Sequence, residues 1–408
     1  MTRRHLMTTL SGLLLTLAVT LTAVAQPHDA HWVTAWTMSP STLLPAADAE
    51  DAFNDQTLRQ IVRVTAAGDS IRLRVSNAHG NKSLAIGAMT VALHAGDGAL
   101  QAGTLHEVTF SGESHFNVAR GAVAISDPVS LAVSDLDELA VSIYLPEGSG
   151  NATTHRVGLQ TSYLLAGDTT QDLQLPDGAE TFEVWHFLRA VDVLADETVS
   201  TIVTVGDSIT DGVGSTRDAN LRWPDQFLVR LRANDDMPRY AIANAGISGN
   251  RVLHERAEIF GENLQARFER DVLALSGVSH IVLLEGINDI GMSVSLATDQ
   301  EVTPEQIIAG YRQIIARAKA RGITIIGATL TPFEGAGYYT AEGEAKRQQV
   351  NAWIRSSGAF DAVIDFDQAM GDGQNPGRLP ASFTSDNLHP NDAGYKAMAD
   401  SIDLGIFR

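Results

Sequence analysis

Apolar and polar positions follow two different rhythms along the chain. From about His31 to Val193 they alternate in short runs. In "IRLRVS", Ile71, Leu73 and Val75 share one side and Arg72, Arg74 and Ser76 the other, the period of a half-buried strand. A similar run, "IVRV", precedes it, and Ala67-Gly68-Asp69 between the two predicts a hairpin turn. "LAVSIYLP" repeats the alternation at Leu139, Val141, Ile143 and Leu145 until Pro146 stops it. Such runs, separated by Gly, Asp and Asn and free of long helical periods, predict an all-β unit of the sandwich or jelly-roll kind.

Beyond Val193 the rhythm changes. "TIVTV" (201–205), "YAIANAG" (240–246), "HIVLLEG" (280–286), "ITIIGATL" (323–330) and "AVIDF" (362–366) are continuous apolar runs, as strands buried on both faces require. Helical patterns lie between them. In the clearest, Thr303 caps, Pro304 takes the first helical position and Gln306 completes a capping box. Ile307, Ile308, Tyr311, Ile314, Ile315 and Ala318 then share a face, and Gly322 supplies a left-handed stop. Strand and helix alternate five times, which predicts a parallel sheet with helices on both faces. A boundary near Asp196 gives a β-rich unit, 26–195, and an α/β unit, 196–408.

The first 25 residues stand apart from both. Arg3 and Arg4 precede an apolar run from Leu10 to Val19, and Ala23-Val24-Ala25 matches a small-x-small cleavage site, so 1–25 reads as a signal peptide and the protein as secreted, extracellular or periplasmic. A chain of 408 residues without cysteine has no disulfide and no thiolate metal site. Its net charge of −20 becomes −22 without Arg3 and Arg4, a balance that repels nucleic acid and anionic headgroups. The expected partner is therefore a small-molecule or polysaccharide substrate, with no nucleic acid, no stable membrane insertion, no cofactor and no metal.

In a parallel sheet of this kind ligands sit beyond the carboxyl ends of the strands, so the residues following each run are the ones to inspect. Gly206-Asp207-Ser208 follows the first, Asn244 to Asn250 the second, and Gly286-Ile287-Asn288-Asp289 the third, while Asp386 and His389 stand in "TSDNLHPNDAGY". Each has a structural explanation alone: Gly-Asp-Ser is turn vocabulary, Asn288 can satisfy a loop backbone, Gly246 can serve a positive φ, and Pro390 gives His389 a capping context. Together they form a chemical set. A serine hydroxyl needs a base to take its proton, and His389 can serve Ser208. Asp386 can hold the other ring nitrogen, while the Ser208 and Gly246 amides and the Asn288 side chain can receive an oxyanion. Asp207 is read as a turn former.

These four blocks, in this order, resemble the SGNH or GDSL-type hydrolase family, over roughly the last 210 residues. The resemblance implies a flavodoxin-like α/β domain and a serine esterase in which Ser208 attacks, His389 shuttles the proton, Asp386 orients it, and Ser208, Gly246 and Asn288 hold the oxyanion. Ile209 stands where the family often has leucine, another apolar anchor. "HWVTAWTMSP" and "LRQIVRVTAAGDSIRLRVSNAHG" resemble secreted members with an additional N-terminal β-domain, which implies short acyl or acetyl esters linked to carbohydrate, with lipid or aryl esters as the alternative. Because His389 must be neutral to act as a base, activity should rise through about pH 6 to 7. A rate that stays flat from about pH 5 to 8 would contradict that role.

Other motifs fail on particular residues. Thr210 breaks a G-x-S-x-G elbow. Ile209 and Asp218 spoil "DSITDG" as a calcium loop, Arg217 replaces the third glycine after Gly212 and Gly214, and His254-Glu255 leads to Glu258 where a zinc helix needs histidine. A reading of another class remains, in which the β-rich half binds glycan through Trp32 and Trp36 or Tyr144 and Tyr163 and the α/β half is a scaffold. Core packing is the competing role for those aromatics.

Overall fold

The computed structural model describes residues 30–42, 51–255 and 258–408. The proposed signal segment, 1–25, lies outside them. The N-terminal half is built from antiparallel sheets. One has four strands in the order Ala30–Thr37, Leu188–Asp196, Ile71–Ser76, Val123–Ile125. A six-stranded sheet is centred on Gln56–Arg63 and Glu138–Leu145. Val33, Leu73 and Val191 of the first and Leu58, Met89 and Val141 of the second share one core, so the two sheets pack as the predicted sandwich.

The expected hairpin at Ala67-Gly68-Asp69 does not form. Gln56–Arg63 and Ile71–Ser76 lie in different sheets, and the residues between them cross from one to the other. Gly68 bridges Val133 on the way. Alternation shows that a strand has one face buried, but in a sandwich it cannot show which sheet the strand joins.

The five later runs form one parallel sheet in the spatial order Tyr240–Gly246, Ser200–Gly206, Val278–Leu284, Thr324–Ala328, Ala362–Ile364. Second, first, third, fourth, fifth is the flavodoxin-like order. Where the strands end earlier than their apolar runs, a cap takes over. Asp365 leaves the last strand to accept the Gln368 N–H and start the helix Phe366–Met370. Trp223–Arg232 packs against Asp392–Ser401, and Pro304–Lys319 against Ala341–Ser356, covering the sheet as two pairs. Thr303 and Gln306 make the expected capping box, and Ile307, Tyr311, Ile314, Ile315 and Ala318 are buried.

The two halves are joined by buried polar contacts. Asp192, fully buried, receives Arg72 at 2.9 Å, Arg74 at 2.7 Å, the Thr34 hydroxyl at 2.7 Å and the Ser276 hydroxyl at 3.0 Å. The outermost strand, Tyr240–Gly246, lies beside the β-rich half. Its Ile242 amide donates to the Thr65 hydroxyl at 3.0 Å, and that hydroxyl is 2.9 Å from the Ile242 carbonyl. The aromatic pairs are packed. Trp36 meets Trp185 edge-on, Arg72 lies over the Trp32 ring, Tyr163 joins a small core with Ile61 and Leu100, and Tyr144 donates to Asp55.

Candidate active site

Ser208 stands where the first parallel strand breaks. Asp207 caps the short helix Ser208–Asp211, its carboxyl accepting the Ile209 N–H at 3.0 Å, and Gly212 closes the turn. Ile209 points into the core. Burial pushes the Asp207 carboxyl up to about 7 against its bond from the Ile209 amide, with the charges of Asp289 and Asp211 adding to the effect. Asp289, likewise buried, is pushed to about 6 despite accepting the Val252 and Leu253 amides. A turn former by sequence, Asp207 is thus a buried cap whose ionisation is pushed up toward neutral pH.

His389 and Asp386 come to Ser208 from the far end of the chain. His389 Nε2 lies 2.8 Å from Ser208 Oγ, and Nδ1 lies 2.7 Å from Asp386 Oδ2. Asp386 also accepts the Leu388 and His389 amides at 2.9 and 2.8 Å. Burial raises this carboxyl, but the ring and amide hydrogen bonds outweigh it and hold it at about 2. An ionised Asp386 makes Nδ1 the donor, which leaves Nε2 as acceptor for the Ser208 hydroxyl. Pro390 does not open the last helix: Asn391 caps it, accepting from Ala393 and Gly394, and His389 lies in the preceding loop. The last helix is in turn docked on the segment after Ser208, with the Tyr395 hydroxyl donating to Val213 O at 2.6 Å and Thr216 Oγ1 to Asp392 at 2.6 Å.

Asn288, buried in the turn after the third strand, donates through Nδ2 to Asn250 O at 3.1 Å. Tyr338 donates its hydroxyl to Asn288 Oδ1 at 3.2 Å. With the carbonyl end occupied, the amide's second N–H is the group left to offer. Tyr338 was missed by sequence reasoning, and no pattern around it marks the contact.

Gly246 requires a correction. Its N–H donates to Asn244 Oδ1 at 2.9 Å, so it is not available to an oxyanion. It is glycine for space, since a Cβ there would stand 2.5 Å from the Asp211 amide nitrogen. The free amides lie elsewhere: neither Ser208 N–H nor Gly249 N–H has an acceptor among the described residues. Gly249 has φ +82°, and a Cβ would stand 2.2 Å from the Phe260 ring. It adjoins Asn250, whose carbonyl Asn288 holds, which makes the Ser208 and Gly249 amides and the Asn288 side chain the candidate donors. The signal was present in the sequence: Gly246 ends a strand, whereas Ser248-Gly249-Asn250 lies beyond it, where ligands gather.

Beneath this loop Arg267, fully buried, donates to Asn250 Oδ1 at 2.8 Å, Ala245 O at 2.8 Å and Gly206 O at 3.2 Å, tying the first two strand ends together. Among the described residues no cluster of His, Cys, Asp and Glu could hold a metal ion, and no helix is long and apolar enough to cross a membrane.

Residues 204–397 match the family model described as GDSL-like lipase/acylhydrolase. No curated protein matches the chain. Solved structures similar to it include a GDSL-like lipase from Bacteroides thetaiotaomicron, 21% identical over 51% of this chain and 87% of that one, with a TM-score of 0.39. A catalytic mutant of an acetylxylan esterase from Geobacillus stearothermophilus is 23% identical over 50% of this chain and 91% of that one, also with a TM-score of 0.39.

Proposed function

Since the chain belongs, through residues 204–397, to the GDSL-like lipase/acylhydrolase family and is a carboxylic ester hydrolase, we propose that it is a secreted serine esterase working through an acyl-enzyme on Ser208. The observation that carries this reading is the relay Asp386–His389–Ser208, at 2.7 and 2.8 Å. His389 Nε2 takes the hydroxyl proton as Oγ attacks the ester carbonyl. Asp386 stabilises the imidazolium that results. The Ser208 and Gly249 amides and Asn288 Nδ2 meet the oxyanion, His389 returns the proton to the leaving alcohol, and a water then repeats the sequence to free the acid.

The preferred substrates are short acyl esters, acetyl above all, on carbohydrate. An apolar cluster of Ile287, Phe333, Tyr338 and Leu388 packs together the segments that carry Asn288 and His389. The leader-like segment 1–25 supports export. Two measurements test the proposal. A serine-directed fluorophosphonate should add once per chain, at Ser208; reaction at another serine, or none, overturns the acyl-enzyme. Rates on p-nitrophenyl esters should fall from acetate to octanoate, and acetylated xylan, pectin or chitin oligomers should release acetate. A preference for octanoate would replace the carbohydrate reading with a lipid one.

A further inference from the structure

Directly behind the nucleophile, a side chain of the β-rich half reaches into the hydrolase half. His155 ends the strand Thr153–His155 and is buried. Its Nδ1 is 2.9 Å from Ser39 O and its Nε2 is 2.8 Å from Asp211 Oδ1. With the Ser39 carbonyl and the Asp211 side chain as its two acceptors, the ring offers hydrogen from both nitrogens, as an imidazolium does. Burial opposes that charge, but Asp211 and the Ser39 carbonyl outweigh it and raise the ring above its ordinary value. Of the other charges nearby, Arg222 donates through Nε to Asp211 O at 2.9 Å and lays its guanidinium over the Trp185 ring on which His155 also stacks, while Arg63 and Asp225 line the same cavity.

Asp211 closes the four-residue helix that Ser208 opens, and its second oxygen accepts the Ser248 N–H at 2.7 Å. The loop containing Ser248 is anchored at both ends. Ile247 N–H donates to Gly206 O at 3.0 Å, and the Asn250 side chain is held by Phe260 O, Glu262 O and Arg267. Between these anchors the Asn250 N–H closes a turn onto Ile247 O at 3.0 Å, and the Ser248 N–H ties that turn to Asp211. The next amide is that of Gly249.

We propose that His155 is a positioning residue for ester hydrolysis: from the β-rich half it holds Asp211, and through Ser248 it sets the Gly249 amide toward the oxyanion. The β-rich half thereby completes the site without touching substrate. This rests on the Ser208 acyl-enzyme described above.

The test uses the full chain with its active sites counted by fluorophosphonate, so that kcat refers to competent molecules only. His155→Gln retains a donor to Asp211 without the charge. It should lower kcat on p-nitrophenyl acetate about 10- to 100-fold, short of the loss of a whole oxyanion donor, with KM within about twofold. Affinity for a boronic acid that forms a tetrahedral adduct on serine should fall by the same factor. A variant with lowered thermal stability but unchanged kcat per counted site and unchanged boronate affinity overturns the positioning role. Should His155→Gln not fold, wild type carrying 15N-histidine decides: His155 should show both ring nitrogens protonated at neutral pH, and one bare nitrogen overturns the strap. Failure of wild type to label at Ser208 would instead overturn the esterase mechanism itself, and this inference with it.

Discussion

Ser208→Ala is expected to lower kcat on p-nitrophenyl acetate by about 10⁴- to 10⁶-fold, the range in which a serine hydrolase loses covalent catalysis but keeps its oxyanion donors. The alanine removes the attacking atom and leaves His389 Nε2 without its 2.8 Å partner. The scaffold should not notice. Among the described residues the hydroxyl bonds to His389 alone, and the cap on this turn comes from Asp207, so circular dichroism and melting temperature should match wild type. Substantial turnover by a folded Ser208→Ala protein would show that another group attacks the ester.

The second large effect belongs to Asn288. Its replacement by alanine should reduce kcat about 10²- to 10³-fold with little change in KM, because the lost N–H matters only once negative charge has developed on the substrate oxygen. Tyr338→Phe separates the donor from its orientation. The amide remains, but nothing holds Oδ1, and a flipped side chain would turn its carbonyl toward the oxyanion. That variant should fall between wild type and Asn288→Ala, at about tenfold below wild type. Parallel kinetics on the two variants check the assignment, and an Asn288→Ala enzyme with wild-type kcat would remove Asn288 from the oxyanion site.

The α/β half was legible in the sequence because a parallel sheet buried on both faces has to be written as continuous apolar runs, and the residues after those runs carried the chemistry. Ser208, Asp386, His389 and Asn288 were singled out in this way; the structure links the first three by hydrogen bonds and sets Asn288 against the loop after the second strand. Gly246 was taken as the donor because it closes the second apolar run; the run and the strand stop together there, and Gly249 lies in the loop beyond. The crossing at 64–70 was taken for a hairpin for a related reason, since turn residues announce a change of direction and not a destination. His155 could not have been found. A single histidine among β-strands has no pattern, and its partner Asp211 lies 56 positions away in the other half.

The contact between Thr65 and Ile242 bears on solubility as well as on site geometry. Tyr240–Gly246 is an edge strand, and an uncovered edge offers unpaired N–H and C=O groups to any other chain that arrives as a strand. Here Thr65 of the β-rich half meets both the amide and the carbonyl of Ile242, while the strand's own Asn244 Oδ1 takes the Gly246 amide. The β-rich half therefore acts as a guard against edge-to-edge self-association, and a hydrolase half cut free of it would carry its nucleophile beside an open template for aggregation.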